Sequence, residues 1–249
     1  KVFLSDLRNS SDIGIKAAEN TLLKCNPKKI NTCKLDVVFH PRVARTLLGH
    51  FASLVNGSSI VRGSSFLKEK LNQKIFKNEI NIIDNPNIIR GLSSKPFDDE
   101  GCSMEKISLV ENGVLKNWIL DTTTAKQLGV VSNSRASRGV SSPPTPSPTN
   151  MFIDNGSKSS KQLLNEVNNG FYVTELIGQG VNLITGDYSR GASGFKIENG
   201  KISFPINEVT IADNLNDMFN KMTIANDLEF LYSINTPTLA IEGMTIAGV

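Results

Sequence analysis

Histidine is nearly absent from this sequence: His40 and His50 are the only two among 249 residues. A metal centre built from three imidazoles is therefore excluded on supply alone. The helical zinc-peptidase pattern, two His four apart with a Glu after the first, is also missing. His40 and His50 stand ten apart, about 80° from eclipsed on a regular helix. The plainer assignment makes His40 the residue leading into a helix at Pro41 and His50 a partly buried polar side chain. Cysteine is scarce too. Cys25, Cys33 and Cys102 are an odd number, which makes no disulfide framework, and they lack the close pair spacing of a zinc site. They read as reduced thiols in a cytoplasmic protein. A Cys–His nucleophile pair has nothing behind it beyond the presence of both residue types.

Other absences narrow the field further. No apolar run reaches the roughly 18 residues of a membrane helix, and Lys1 to Asp6 lack the basic-then-apolar pattern of a signal peptide. There is no initiator Met, which suggests a piece of a longer protein. One-sided charge is missing as well: 27 basic residues against 24 acidic ones give a net charge of +3. That surplus makes no electrostatic case for nucleic acid or an anionic membrane. No phosphate-loop or G-x-G-x-x-G pattern is present. The length allows one large domain or two small ones.

What is present reads as a mixed fold. A helix starts at Ser11 or Asp12 and ends before Asn26-Pro27. Lys34 to Phe39 is a strand. Pro41 opens a second helix whose apolar positions run from Val43 to Val55, until Asn56-Gly57 stops it. A further helix is expected over Ser64 to Gln73 and a strand over Ile80 to Ile83. Asn112-Gly113 joins Lys106–Val110 to Val114–Leu120, and Asn199-Gly200 joins Gly194–Ile197 to Lys201–Phe204, each as a hairpin. The matching turns are too short to establish a duplication. Ser132 to Thr149, rich in Ser and Pro, reads as a disordered linker or a long functional loop. Later elements are a strand near Asn150 to Asp154, a helix over Ser160 to Val167, a strand over Phe171 to Leu176 and a helix over Asn214 to Met222. Thr238–Ile241 and Met244–Ile246 close the chain as strands. Without a βαβ rhythm, the pattern favours α+β with a mostly antiparallel sheet and flanking helices.

The residues themselves assemble no complete catalytic set. Asp98-Asp99-Glu100-Gly101 lacks the alternating ligands of a calcium loop and reads as a solvated turn before a strand. The glycine-rich stretches Gly178–Gly180 and Gly186–Gly194 permit close backbone approach, between strands or to an extended ligand, and both options stay open.

Several ordered blocks carry a family resemblance across nearly the whole chain. They include Phe39-His40-Pro41-Arg42-Val43-Ala44-Arg45-Thr46-Leu47-Leu48-Gly49-His50, Gly91 to Gly101, Glu111 to Leu115, Ala125 to Gly129, Tyr172 to Val181, Thr185 to Phe195, Glu208 to Leu215 and Met244 to Gly248. In these the chain closely resembles the C-terminal part of the TldE, or PmbA, type within the TldD/PmbA family, once described as modulators of DNA gyrase. The resemblance implies that residues 1–33 end the preceding helical region, that 34–249 form the C-terminal domain, and that the family's N-terminal domain is absent. It implies a cytoplasmic assembly in which TldD-type and TldE-type subunits pair as a dimer and cleave unfolded peptides in an enclosed cavity. The TldD type carries a His-Glu-x-x-x-His motif and a distal Cys. At those motif positions this chain has Arg45, Thr46 and His50, and no Cys lies between Met222 and Pro237. An Arg offers no lone pair to a metal, and a Thr is no general base near neutral pH. The expectation is a non-catalytic subunit without its own cofactor, the zinc residing in a TldD-type partner. Gly191, Ala192, Ser193 and Gly194 are candidate peptide contacts, and the Ser132–Thr149 loop is a candidate cavity wall. Two other readings remain: an active homodimer using His50, Cys102 and Asp98 or Asp99, and a non-enzymatic binding protein such as a gyrase or toxin–antitoxin adaptor.

Overall fold

The structure, a computed structural model, describes residues 1–248. Its helices are α1 (Ser10–Leu22), α2 (Pro41–Leu54), α3 (Gly57–Arg62), α4 (Thr122–Leu128), α5 (Ser160–Glu166) and α6 (Leu215–Lys221). Its strands are β1 (Cys33–Phe39), β2 (Ile82–Asp84), β3 (Ile107–Glu111), β4 (Val114–Leu115), β5 (Ala136–Ser137), β6 (Thr145–Pro146), β7 (Met151–Ile153), β8 (Asn169–Ile177), β9 (Asp187–Glu198), β10 (Lys201–Asn214), β11 (Thr223–Ile224), β12 (Ile234–Asn235) and β13 (Leu239–Ala247). The fold is α+β, as the pattern led one to expect.

Two sheets organise it. The larger runs β1-β8-β9-β10-β13-β11, and β13 also pairs with β1. That extra pairing closes β1, β8, β9, β10 and β13 into a barrel-like ring, which removes the edges an open sheet would expose. The second sheet runs β12-β7-β2-β3-β4. Pairing is antiparallel except for β1 with β8 and β12 with β7. Helix α2 packs on β8 of the ring and on β12 of the second sheet. Its Leu47, Leu48 and Phe51 join ring residues such as Phe39, Phe171 and Val173 in one apolar core.

Both Asn-Gly hairpins form. Asn112 and Gly113 have φ of 49° and 77°, and Asn199 and Gly200 have 50° and 75°, the left-handed pair that a tight hairpin turn needs. Several sequence expectations change. The first helix is capped by Asn9, whose Oδ1 accepts from the Ser11 N–H at 2.8 Å, not by Ser11 or Asp12. Asn56 opens α3 by accepting from the Ser58 N–H at 2.9 Å. The helix expected over Ser64–Gln73 reduces to one 3-10 turn, Lys68–Lys70. There Asn72 turns to φ 60° and its N–H donates to the Leu115 carbonyl at 2.7 Å, so the backbone is taken up by β4 instead. The two closing strands are one, β13, interrupted at Gly243, whose N–H donates to Asp36 Oδ1 at 2.9 Å. The Ser132–Thr149 segment is an ordered loop carrying the β5–β6 pairing.

Candidate functional site

Helix α2 carries the positions singled out by the sequence. Its start is set by His40, whose Nδ1 accepts from the Arg42 N–H at 3.1 Å, with Pro41 in the first turn. Val43, Ala44, Leu47, Leu48, Phe51 and Leu54 face the core. Arg45, Thr46, Gly49 and His50 are half-buried. The Arg45 guanidinium lies over the Tyr232 ring, 4.3 Å from its centroid. Thr46 Oγ1 donates to the Val43 carbonyl at 2.7 Å, so its hydroxyl is spent on its own helix. His50 points elsewhere, edge-on to Tyr188 with ring centroids 6.2 Å apart, and its Nε2 is buried without a partner. Burial, then the Arg190 charge, holds the His50 pKa below its ordinary value. Burial does the same at His40, aided by Arg42 and opposed by Asp227.

The three motif positions therefore do not converge. The side chains of residues 45 and 50 pack on different neighbours, Tyr232 and Tyr188. The segment expected to bear the distal ligand does reach α2, but it presents Tyr232 to Arg45. A catalytic zinc takes three protein ligands. Here the donors are a guanidinium, an occupied hydroxyl and one imidazole, so this set does not fit that ion. Among the described residues no group of three or more His, Cys, Asp or Glu is placed to hold a metal. The alternative set of His50, Cys102 and Asp98 or Asp99 is thus not brought together.

Those acidic residues have other work. Asp98 is buried, which corrects its reading as part of a solvated turn. Its Oδ1 accepts from the N–H groups of Glu100 and Cys102, and its Oδ2 from that of Ala136. Asp99 accepts from the Arg138 N–H at 2.8 Å and from Lys95 at 3.2 Å; these bonds hold its carboxyl below the usual range. The acidic turn thereby anchors the Ser132–Thr149 loop. At that loop's start lies a fully buried ion pair: Arg135 Nε donates to Asp84 Oδ2 at 2.5 Å. Its other nitrogens donate to the carbonyls of Asn133, Ser134, Asp84 and Glu105. Asp84 also accepts from the Thr149 N–H and hydroxyl at 2.7 and 2.9 Å. One pair thus ties both ends of the loop to β2.

So held, the loop forms one wall of a groove of about 400 Å3 whose other wall is α2. Gly49, Ala52, Ser53 and Asn56 line it from the helix side, Pro146 to Thr149 from the loop, and Ser233 and Ile234 from the segment after Tyr232. Gly191 to Gly194 line a separate cavity of about 430 Å3, with Ile206 and Val209 opposite and Glu175 at its rim. Ser193 Oγ donates to Glu175 at 3.1 Å. Lys24, then burial's opposing effect, then Ser193 and Arg42 act on that carboxyl, with a net lowering of its pKa. Gly194 serves packing, since a Cβ there would collide with the Tyr172 carbonyl. Gly191 has ordinary clearance.

A family model described as the PmbA/TldA metallopeptidase C-terminal domain matches residues 32–248. The chain belongs to this family. A protein named metalloprotease PmbA, from Escherichia coli O157:H7, is 39% identical over 246 residues, covering 98% of this chain and 53% of its own length. Among solved structures, one from Bacteroides thetaiotaomicron, described as a candidate modulator of DNA gyrase, superposes with a TM-score of 0.89 at 32% identity. It covers 99% of this chain and 54% of its own. TldE from Thermococcus kodakarensis gives a TM-score of 0.85 at 24% identity, covering 96% and 55%, a likeness of fold. The chain spans about half the length of the relatives it matches. Of the residues around this PmbA/TldD site, Tyr188, Arg190, Tyr232 and the Asp84–Arg135 pair carry no local pattern that would flag them. Gly49 went unflagged as well, although a glycine inside an apolar helix is a signal that could have found it.

Proposed function

We propose that this chain is the TldE-type, non-catalytic half of a two-subunit metallopeptidase of the PmbA/TldD family, working in the cytoplasm. It holds no zinc of its own. A TldD-type subunit carries the metal, and the two enclose a cavity in which unfolded peptides are cleaved. The observation that carries this reading is α2: Arg45 replaces a ligand, Thr46 spends its hydroxyl on the helix, and His50 turns to Tyr188. The groove along α2 and the Gly191–Gly194 cavity are suited to be wall surfaces for substrate.

Co-expression with a TldD-type subunit, followed by size analysis, metal determination and a peptidase assay, tests it. The expected result is a mixed assembly containing one zinc per pair, with activity that this chain lacks by itself. Stoichiometric zinc and peptidase activity in this chain alone would overturn the reading, as would a mixture that neither associates nor cleaves.

A further inference from the structure

We propose that His50, Tyr188 and Arg190 form a binding site for a compact monovalent anion, a chloride ion or a single carboxylate group, where α2 meets the start of β9. The site is independent of the subunit assignment: its test involves neither zinc nor peptide cleavage, so the two readings fail separately.

Strand periodicity brings the residues together. Tyr188 and Arg190 are two apart on β9, so their side chains leave the same face of the sheet. That face is the inner one: Tyr188 is 1% exposed, and both it and Ala192 belong to the main apolar core. His50 of α2 meets this face with its ring edge-on to that of Tyr188, centroids 6.2 Å apart. The Arg190 charge acts on His50 and on Tyr188, so the guanidinium lies beside both. Each of the three brings a buried polar atom without a hydrogen-bond partner in the protein: His50 Nε2, Tyr188 Oη and Arg190 Nε. The hydroxyl and the guanidinium nitrogen are donors, and imidazole Nε2 is one in the matching tautomer. Buried donors are nearly always paired. Three of them on one patch point to a shared acceptor.

Charge distinguishes an ion from a water molecule as that acceptor. Among the described residues Arg190 belongs to no ion pair. Asp213 faces Tyr188 across the β9–β10 ladder, yet its Oδ2 lies 3.5 Å from Lys221. That carboxylate goes to the amine and not to the guanidinium. The contrast with Arg135 is direct: Arg135 Nε donates to Asp84, while Arg190 Nε donates to nothing in the protein. Burial, then the Arg190 charge, keeps the His50 pKa below its ordinary value, so near neutral pH the imidazole adds no charge of its own. The patch is left with one uncompensated positive charge, which a single negative charge balances. An anion held by these donors links α2 to β9 through charge-assisted hydrogen bonds.

The test follows thermal unfolding of the chain in sodium isethionate, a bulky anion, and in sodium chloride or sodium acetate at the same ionic strength, with the chloride NMR linewidth as a direct measure of binding. The midpoint should rise as the small anion replaces isethionate, because a ligand that binds only the folded chain stabilises it. A rise with chloride assigns the site to the halide; a rise with acetate alone assigns it to a carboxylate group. Tyr188→Phe and Arg190→Gln should each weaken the apparent affinity at least about tenfold. In isethionate Tyr188→Phe should not lower the midpoint, since a buried hydroxyl without a partner is removed at no loss. Lys161→Gln, which removes an exposed charge, should leave the anion response intact and controls for general salt effects. Circular dichroism checks that each variant folds, and the nearly isosteric Tyr188→Phe decides the matter if Arg190→Gln does not. Equal midpoints in the three salts would overturn the proposal. So would an anion response that survives Tyr188→Phe, or a Tyr188→Phe loss of the same size in every salt, the mark of a hydroxyl bonded to water.

Discussion

Gly49 sits in the interior of α2 with open space where a Cβ would stand. Glycine there costs helix stability relative to alanine, because its backbone is freer in the unfolded chain. Gly49→Ala should therefore raise stability by about 0.5–1 kcal/mol in urea denaturation, while narrowing the groove. The two histidines act on stability through protons. Burial favours the neutral form of each, so both pKa values lie below the ordinary 6.5. As pH falls below that value the unfolded chain takes up protons that the folded chain resists. The stabilisation is thus complete above pH 6.5 and fades as pH drops through the lower folded values. At His40 protonation also removes the acceptor that caps α2. His40→Asn, which keeps a cap without a titrating group, should flatten the stability–pH curve between about pH 7 and 5. An unchanged slope would show that His50 or the carboxylates dominate there.

At the scale of elements, α2 and the Ser132–Thr149 loop decide the site together. The loop owes its shape to a buried charge pair, and removing one member leaves the other uncompensated. Asp84→Ala should cost about 3–5 kcal/mol and make the loop the first place cut in limited proteolysis. An apolar double replacement, Asp84→Leu with Arg135→Met, should recover part of that loss, measured in the same denaturation series. For α2, the proposed non-catalytic role predicts that placing His and Glu at positions 45 and 46 creates no metal site. Arg45→His with Thr46→Glu should bind no stoichiometric zinc by metal analysis, because position 45 faces Tyr232 and position 50 faces Tyr188, and residues 222–237 contain no Cys. Tight zinc in that variant would overturn this placement of positions 45 and 50.

Over the whole molecule, protection is unevenly distributed. The ring strands β8, β9 and β10 pair along most of their length, whereas α1 buries none of its residues and leaves Ile13, Ile15 and Leu22 exposed. A thirteen-residue helix without packing is marginal in water. Hydrogen exchange in this chain should be fast throughout α1 and slowest in β8–β10. The same contrast explains what could be read early. Asn112-Gly113 and Asn199-Gly200 announce hairpins because the turn chemistry is local, and Val43 to Leu54 announces a helix because its period is local. Ser64–Gln73 misleads because its backbone is claimed by β4, far along the chain. Asp98 looks solvated because nothing nearby reveals that Ala136 will cover it. By themselves the residues determined the α+β class and the turns, consequences of side-chain chemistry and short-range spacing; that Arg45 and Thr46 stand where an imidazole and a carboxylate are expected is what the family resemblance implies. The tertiary structure alone decided that β13 closes the ring on β1, that Asp84 meets Arg135, and that Tyr232 comes to lie beneath Arg45. Those contacts join segments far apart in sequence, where burial and charge compensation select the partner and no local pattern records the choice.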